Sequence, residues 1–213
     1  MKHLLSIFML LLSFVSFSQE WKLAKDEEGI KVYTRLPEGQ SFEEVRSTVR
    51  IKTSLSAFTA LLKNVDGYTA WAYNCVEAKL IEAISDTAQV YYTHTSIPWP
   101  ASDRDLVMRS SLKQDPKTLV VTTSSRSIEG LVEEKEGIVR VKNGKTAWTL
   151  TPKAGGFVDV EYFVSLDPGG SIPAWLVNST IDMGPFNTLK NVRQLLESGK
   201  YKNAKFWFVK ELE

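Results

Sequence analysis

Between Glu44 and Ile51 the chain reads EVRSTVRI, and its side chains change character at every step. Val45, Ser47, Val49 and Ile51 fall on one parity; Glu44, Arg46, Thr48 and Arg50 fall on the other. A period of two is the spacing of a β-strand with one covered and one wet face. The pattern returns at Val158, Val160, Tyr162 and Val164 against Asp159, Glu161 and Phe163. Further β-like runs cover residues 30–35, 76–84, 88–96, 104–112, 118–128, 137–142 and 145–151. Asn143-Gly144 reads as the tight turn of a hairpin joining 137–142 to 145–151. About nine strands punctuated in this way predict an antiparallel sheet with one solvated face and one covered face.

Helical signals are few. Residues 54–63, SLSAFTALLK, offer Ser54 or Ser56 as an N-cap and place Leu55, Phe58, Leu61 and Leu62 at helical spacing. A second short helix is expected between Gly67 and Asn74. The longest helix is expected from about Ser171, with Pro173 in its first turn, to a stop at Gly199. Its apolar face would carry Ile172, Trp175, Leu176, Met183, Phe186, Leu189, Val192 and Leu196. Pro185 predicts a kink, because its ring would meet the carbonyl of Ile181. A curved sheet gripping this helix is an α+β arrangement able to leave space inside.

The first residues belong to a different category. Lys2 and His3 precede an apolar run from Leu4 to Phe17, and Ser16 and Ser18 occupy the small-residue positions of a cleavage site. The expectation is a signal peptide over residues 1–18, cut near Ser18/Gln19, and an exported protein, periplasmic or secreted. Residues 19–201 then form one domain with a sizeable core and 202–213 a tail carrying Phe206, Trp207 and Phe208. With 26 basic and 25 acidic residues the net charge is +1, which supplies no basic excess for nucleic acid. The lone Cys75 leaves no intramolecular disulfide to form.

Catalytic motifs are sparse. One histidine, His94, lies beyond the leader, so a zinc site of His and Cys ligands lacks its donors, and no metal or cofactor is expected. No G-x-S-x-G elbow and no G-x-G-x-x-G loop occurs. The abundant large rings, Trp71, Tyr73, Tyr91, Tyr92, Trp99, Trp148, Tyr162 and Trp175, suit both a core and the wall of an apolar pocket.

Five stretches carry a resemblance. They are WKLAKDEEGIKVYTR (21–35), YTAWAYNC (68–75), IPWPASDRDLV (97–107), EGIVRV (136–141) and DPGGSIPAWLVN (167–178). In this order they resemble the START family, the steroidogenic acute regulatory protein-related lipid-transfer domains, and most of all its phosphatidylcholine-transfer branch. The resemblance implies a helix-grip fold: a curved antiparallel sheet around a C-terminal helix, with a lipid in an internal tunnel and no chemistry done to it. It also implies that 21–35 is a helix-to-strand entry. Animal members carry a second, cavity-facing arginine six positions after the R-D pair. Here Arg109 follows Arg104 by five, and its parity turns it outward.

The expected ligand wall is Trp71, Tyr92, Leu106, Met108, Tyr162, Trp175 and Met183, with His94, Arg104 and Asn178 as its polar members. Asp103, Arg104 and Asp105 are expected to form a structural charge network at a turn and strand entry, and Trp99 to pack in the connection. The function expected is that of a monomeric carrier or sensor of a lipid or hydrophobic small molecule, making transient membrane-surface contact. The alternative is a cyclase- or dehydratase-like enzyme on the same scaffold, with His94 as its acid or base.

Overall fold

The computed structural model describes residues 20–212, so the expected signal peptide lies outside the described residues. The strands are β1 (Lys22–Glu27), β2 (Ile30–Arg35), β3 (Glu44–Lys52), β4 (Cys75–Ser85), β5 (Ala88–Thr95), β6 (Asp103–Gln114), β7 (Val121–Ser127), β8 (Ile138–Arg140), β9 (Asn143–Lys153) and β10 (Phe157–Asp167). The helices are α1 (Leu55–Lys63), α2 (Ala174–Asn178) and α3 (Met183–Glu197), with a 3₁₀ turn over Val65–Ala70. All ten strands join one sheet in the order β1-β2-β3-β10-β9-β7-β6-β5-β4, with β8 beside β6. The fold is the expected α+β helix grip, a curved sheet closed by C-terminal helices.

Three local expectations give way to tertiary pairing. Residues 21–35 hold no helix; they form the β1–β2 hairpin, turning at Glu28 and Gly29, both with positive φ as a type I′ turn requires. Asn143-Gly144 is not a turn. It opens β9, which pairs with β10 from Asn143↔Asp167 to Lys153↔Phe157. Gly144 is needed for close approach: its amide donates to Ser127 Oγ at 2.8 Å, and an added Cβ would lie 3.3 Å from a Leu106 methyl. β8 instead runs parallel to β6, pairing Asp103↔Ile138 and Asp105↔Arg140 where β6 outruns β7.

The expected long helix is two helices. Asn178, Ser179, Thr180 and Asp182 crowd the junction, and the Ser179 and Thr180 hydroxyls bond back to the Leu176 carbonyl, competing with helical continuation. α3 therefore starts at Met183, with Asp182 as its N-cap. Pro185 falls in the first turn, where no backbone donor is needed, so the expected kink is absent. The stop at Gly199 stands: its φ is 81° and its amide reaches the Leu196 carbonyl at 3.0 Å. Gly67–Asn74 forms part of the 3₁₀ turn and the bend after it.

Alternation now has a physical meaning. Inward-facing Val45, Val49, Ile51, Leu150, Val158 and Val160 pack beneath Phe58, Leu61, Phe186, Leu189 and Val192 of α1 and α3. α1 is capped twice, by Ser54 Oγ accepting from Ala57 N and by Glu211, whose carboxylate accepts from Leu55 N and Ser56 N at 3.0 and 2.7 Å. The tail thus packs on the domain, with Val209 buried and Trp207 exposed.

The outer face is mostly solvated except where residues 128–142 cover Val90, Tyr92 and Val107. That cover is fixed by Arg140. Its Nε and Nη2 reach the two Asp105 oxygens at 2.7 and 3.0 Å, and its Nη1 and Nη2 also donate to the Val132 and Glu133 carbonyls. Both side chains are almost wholly buried. Arg140→Met should cost about 3–5 kcal/mol by leaving a buried carboxylate unpaired. Urea denaturation should also show that adding Asp105→Leu restores much of that loss.

Candidate functional site

The pairing registers divide the concave face into rows running across the strands. Nearest one end lie Thr95 with Arg104, then Thr93 with Leu106, then Tyr91 with Met108 and Ser127. The next row is Gln89, Ser110, Ser125, Thr146, Val164 and Val45. Below it come Leu112, Thr123, Trp148, Tyr162 and Ser47. Helices α1 and α3 roof the far rows. Toward the Arg104 end, Thr93, Leu106, Thr146, Tyr162 and Val164 are only half-buried, and α2 has no buried residue.

Aromatic rings form its floor. Trp148 stacks on Tyr162 at 4.0 Å between centroids and meets Trp71 and Phe58 edgewise or tilted. Tyr68 packs against Trp71 and Tyr91. Burial pushes the phenol pKa values of Tyr68, Tyr91 and Tyr162 upward, so these rings stay neutral. The Tyr68 hydroxyl donates to the Leu62 carbonyl at 2.6 Å. Trp71 is 4% exposed, and its Nε1–H has no acceptor among the described residues.

Arg104 enters the bowl as a clip. Its Nε donates to the Pro168 carbonyl at 3.1 Å, Nη2 to the Gly169 carbonyl at 3.0 Å, and Nη1 to the Ser102 carbonyl. Burial lowers its pKa from the usual arginine value. The Gly169-Gly170 turn makes this possible: both residues have positive φ, and a Cβ on Gly170 would stand 3.2 Å from Arg104 Nη2. One guanidinium therefore ties the loop at 96–102 to the loop at 168–173. Asp103 faces the other way, accepting from Ile97 N at 2.9 Å and holding His94 Nε2 at 2.7 Å.

The expected ligand wall is thus brought together only in part. Trp71, Leu106, Met108 and Tyr162 share the concave side, with Arg104 at its end. Tyr92 and His94 do not, because alternation on β5 points Gln89, Tyr91 and Thr93 inward and Val90, Tyr92 and His94 outward. Tyr92 lies under the 128–142 cover with the Lys135 ammonium 4.7 Å from its ring. Asn178 is committed to the loop before β3, accepting from Glu43 N and donating to Ser41 O, both at 3.1 Å. Trp175 is 71% exposed and Met183 nearly half exposed, so both stand at the rim. Trp99 is 92% exposed rather than packed in its connection. Arg109 is exposed on the outer face, opposite Arg126. Sequence reading named Tyr91 among the rings but left it out of the ligand wall, and it missed Gln89, Ser110, Ser125 and Thr146; the Tyr91↔Met108 register would have exposed them, had it been known.

The START domain model matches residues 10–202. The chain belongs to the START domain family. Among its relatives is an uncharacterised protein of Pseudomonas aeruginosa, 35% identical over 182 residues that span 85% of this chain and 89% of the other. The phosphatidylcholine transfer protein of Mus musculus is 29% identical over 179 residues, 81% of this chain and 82% of its own. A crystal structure of the STAR-related lipid transfer protein from Xanthomonas axonopodis superposes with a TM-score of 0.78 at 37% identity, over 83% of this chain and 98% of that one.

Arg104→Met should release the loops at 96–102 and 168–173 together, costing about 2–3 kcal/mol for three stranded carbonyls. Amide hydrogen exchange should rise in both segments. Asp103 adds a pH dependence to the first. The Ile97 amide and then His94 hold its carboxyl below the usual carboxylate range. A depressed folded value contributes stability above the unfolded value and loses it as pH falls through the folded one. Protection of Ile97 should therefore persist at neutral pH and fall away below pH about 4, and Asp103→Asn should abolish that dependence.

Proposed function

We propose that this protein binds one lipid or other hydrophobic small molecule on its concave face and carries or presents it without chemical turnover. The observation that carries this reading is the concave face itself, floored by stacked rings and with Leu106, Tyr162 and Val164 left half-buried. Half-buried apolar surface of this kind is stabilised by a ligand that covers it. Membership of the START family, with relatives named for lipid transfer, supports carriage. The absence of turnover is supported by the placement of His94, which lies on the opposite face of the sheet from the rings and is paired with Asp103.

Loading would occur at the Arg104 end. Exposed Trp99 stands on one of the loops that Arg104 joins, and Trp175, Leu176 and Met183 follow the other on α2 and at the start of α3; all four suit transient insertion into a bilayer surface. The apolar run from Leu4 to Phe17 supports export, and we take the mature chain to act as a monomer in the periplasm or outside the cell.

Solvent extraction of purified protein followed by mass spectrometry should recover a lipid at about one per chain; repeated preparations without one would remove this reading. Trp99→Ser together with Trp175→Ser should slow lipid transfer between vesicles roughly tenfold and leave the melting temperature unchanged. His94→Ala should leave ligand content unaltered.

A further inference from the structure

On the outer face of the sheet, opposite charges are set in register. Arg35 stands opposite Glu44 and meets it at 2.6 Å, Arg50 stands opposite Asp159, and Lys31 opposite Asp26. Matching of this kind stabilises a ladder. One row does the reverse. Arg109 of β6 lies opposite Arg126 of β7, and Arg126 lies opposite Lys145 of β9. All three side chains are exposed. Three cations thus stand on adjacent strands within about 10 Å, two strand spacings. Like charges directly opposite one another weaken a sheet.

Among the described residues, no carboxylate pairs with any of the three, and the acids at the margins are engaged elsewhere. Asp167 accepts from the Gly169 amide at 2.9 Å, Glu129 meets Lys142 at 3.3 Å, and Glu44 holds Arg35. Along the row the neighbours are Val90 and Ser165, with Glu82 one strand beyond Val90. The adjacent row, Ser111, Ser124, Ala147 and Phe163, is uncharged until Arg46. Arg46 adds a fourth cation, whose guanidinium lies over the rings of Trp21 and Tyr33.

We propose that Arg109, Arg126 and Lys145, flanked by Arg46, form a docking surface for the phosphate groups of an anionic phospholipid bilayer. Guanidinium and ammonium groups beside the Ser111 and Ser124 hydroxyls are donors that match phosphate oxygens. A net charge of +1 gives the whole chain no field for nucleic acid, whereas a short cationic row suits a surface dense in phosphate. The choice of a membrane over another polyanion rests on the reading of the chain as a lipid carrier, which must return to bilayers to load and unload. The row is separate from the tryptophan rim: Arg109 follows Asp103, the first residue of β6, by six positions, about 20 Å along the strand. Adsorption through the row keeps the carrier at a bilayer between insertions of the rim.

Cosedimentation with vesicles of phosphatidylcholine, alone or mixed with phosphatidylglycerol, tests this. The protein should bind the anionic vesicles about tenfold more tightly and lose that preference in about 0.5 M salt. Arg109→Gln with Arg126→Gln and Lys145→Gln should remove the preference, while the melting temperature holds or rises as repulsion across the strands is relieved. Lys31→Gln with Arg50→Gln and Lys190→Gln changes the net charge equally but takes its cations from existing ion pairs. That variant should keep the preference within about twofold. Equal loss in the two triple variants overturns the row as the docking surface. Retention on a short DNA duplex as tight as on anionic vesicles overturns the choice of a membrane. Solvent extraction reads carriage separately. Protein that yields lipid but shows no vesicle preference overturns the docking surface and leaves carriage standing. Protein that binds anionic vesicles through the row but yields no lipid overturns carriage and leaves the surface standing.

Discussion

The ladder between β3 and β10 is the constraint on which the rest of the molecule depends. β10 pairs with β9 on one edge and, through eight register positions from Phe157↔Lys52 to Val164↔Val45, with β3 on the other. It is the sole bridge in the strand order between the N-terminal β1-β2-β3 unit and the meander that follows α1. Without it neither half has a complete face to bury. With it, Ser47 is brought opposite Tyr162, Tyr162 opposite Trp148, and the ring floor exists. Contacts between residues more than a hundred positions apart thereby create both the core and the bowl, an arrangement that links folding to late closure of a long loop.

Much of the charge in this molecule is spent on architecture. Asp105 and Arg140 hold down the outer cover, Arg104 joins two loops, and Glu28 ties the β1–β2 turn to Lys190 and Arg193 of α3. Each of these groups is held by partners within the protein. Specificity in a concave site comes from shape and from the few hydrogen bonds that a wrong ligand would leave unmade.

Strand patterning was legible because alternation is a local property, and the inward set Val45, Ser47, Val49 and Ile51 reads directly from residue order. Pairing was not. Glu28-Gly29 makes the tight hairpin while the more conspicuous Asn143-Gly144 lies flat in a strand, since eleven rungs to β10 outweigh one favourable turn. The two adjacent tyrosines show the limit for the site. Tyr91 and Tyr92 have identical chemistry, and only the register with β6 decides that the first faces the bowl and the second its back. Likewise, the fate of Pro185 turned on where a helix began, which four polar residues at 178–182 decided through their own backbone bonds.

The Glu211 carboxylate at the start of α1 has a consequence for which parts of the molecule can move independently. α1 is one of the two helices roofing the rings, and two of its three capped N-terminal amides are held by Glu211 in the tail, 156 positions from Leu55. The tail is itself secured by a few side-chain holdfasts, Gln114 to the backbone of Lys210 and Trp207 to Asp86. Such a seam opens at lower free energy than a sheet. The roof is therefore hinged to the tail: detaching a dozen residues at the surface would loosen the lid that carries Phe58 over Trp148 while every rung beneath remained closed.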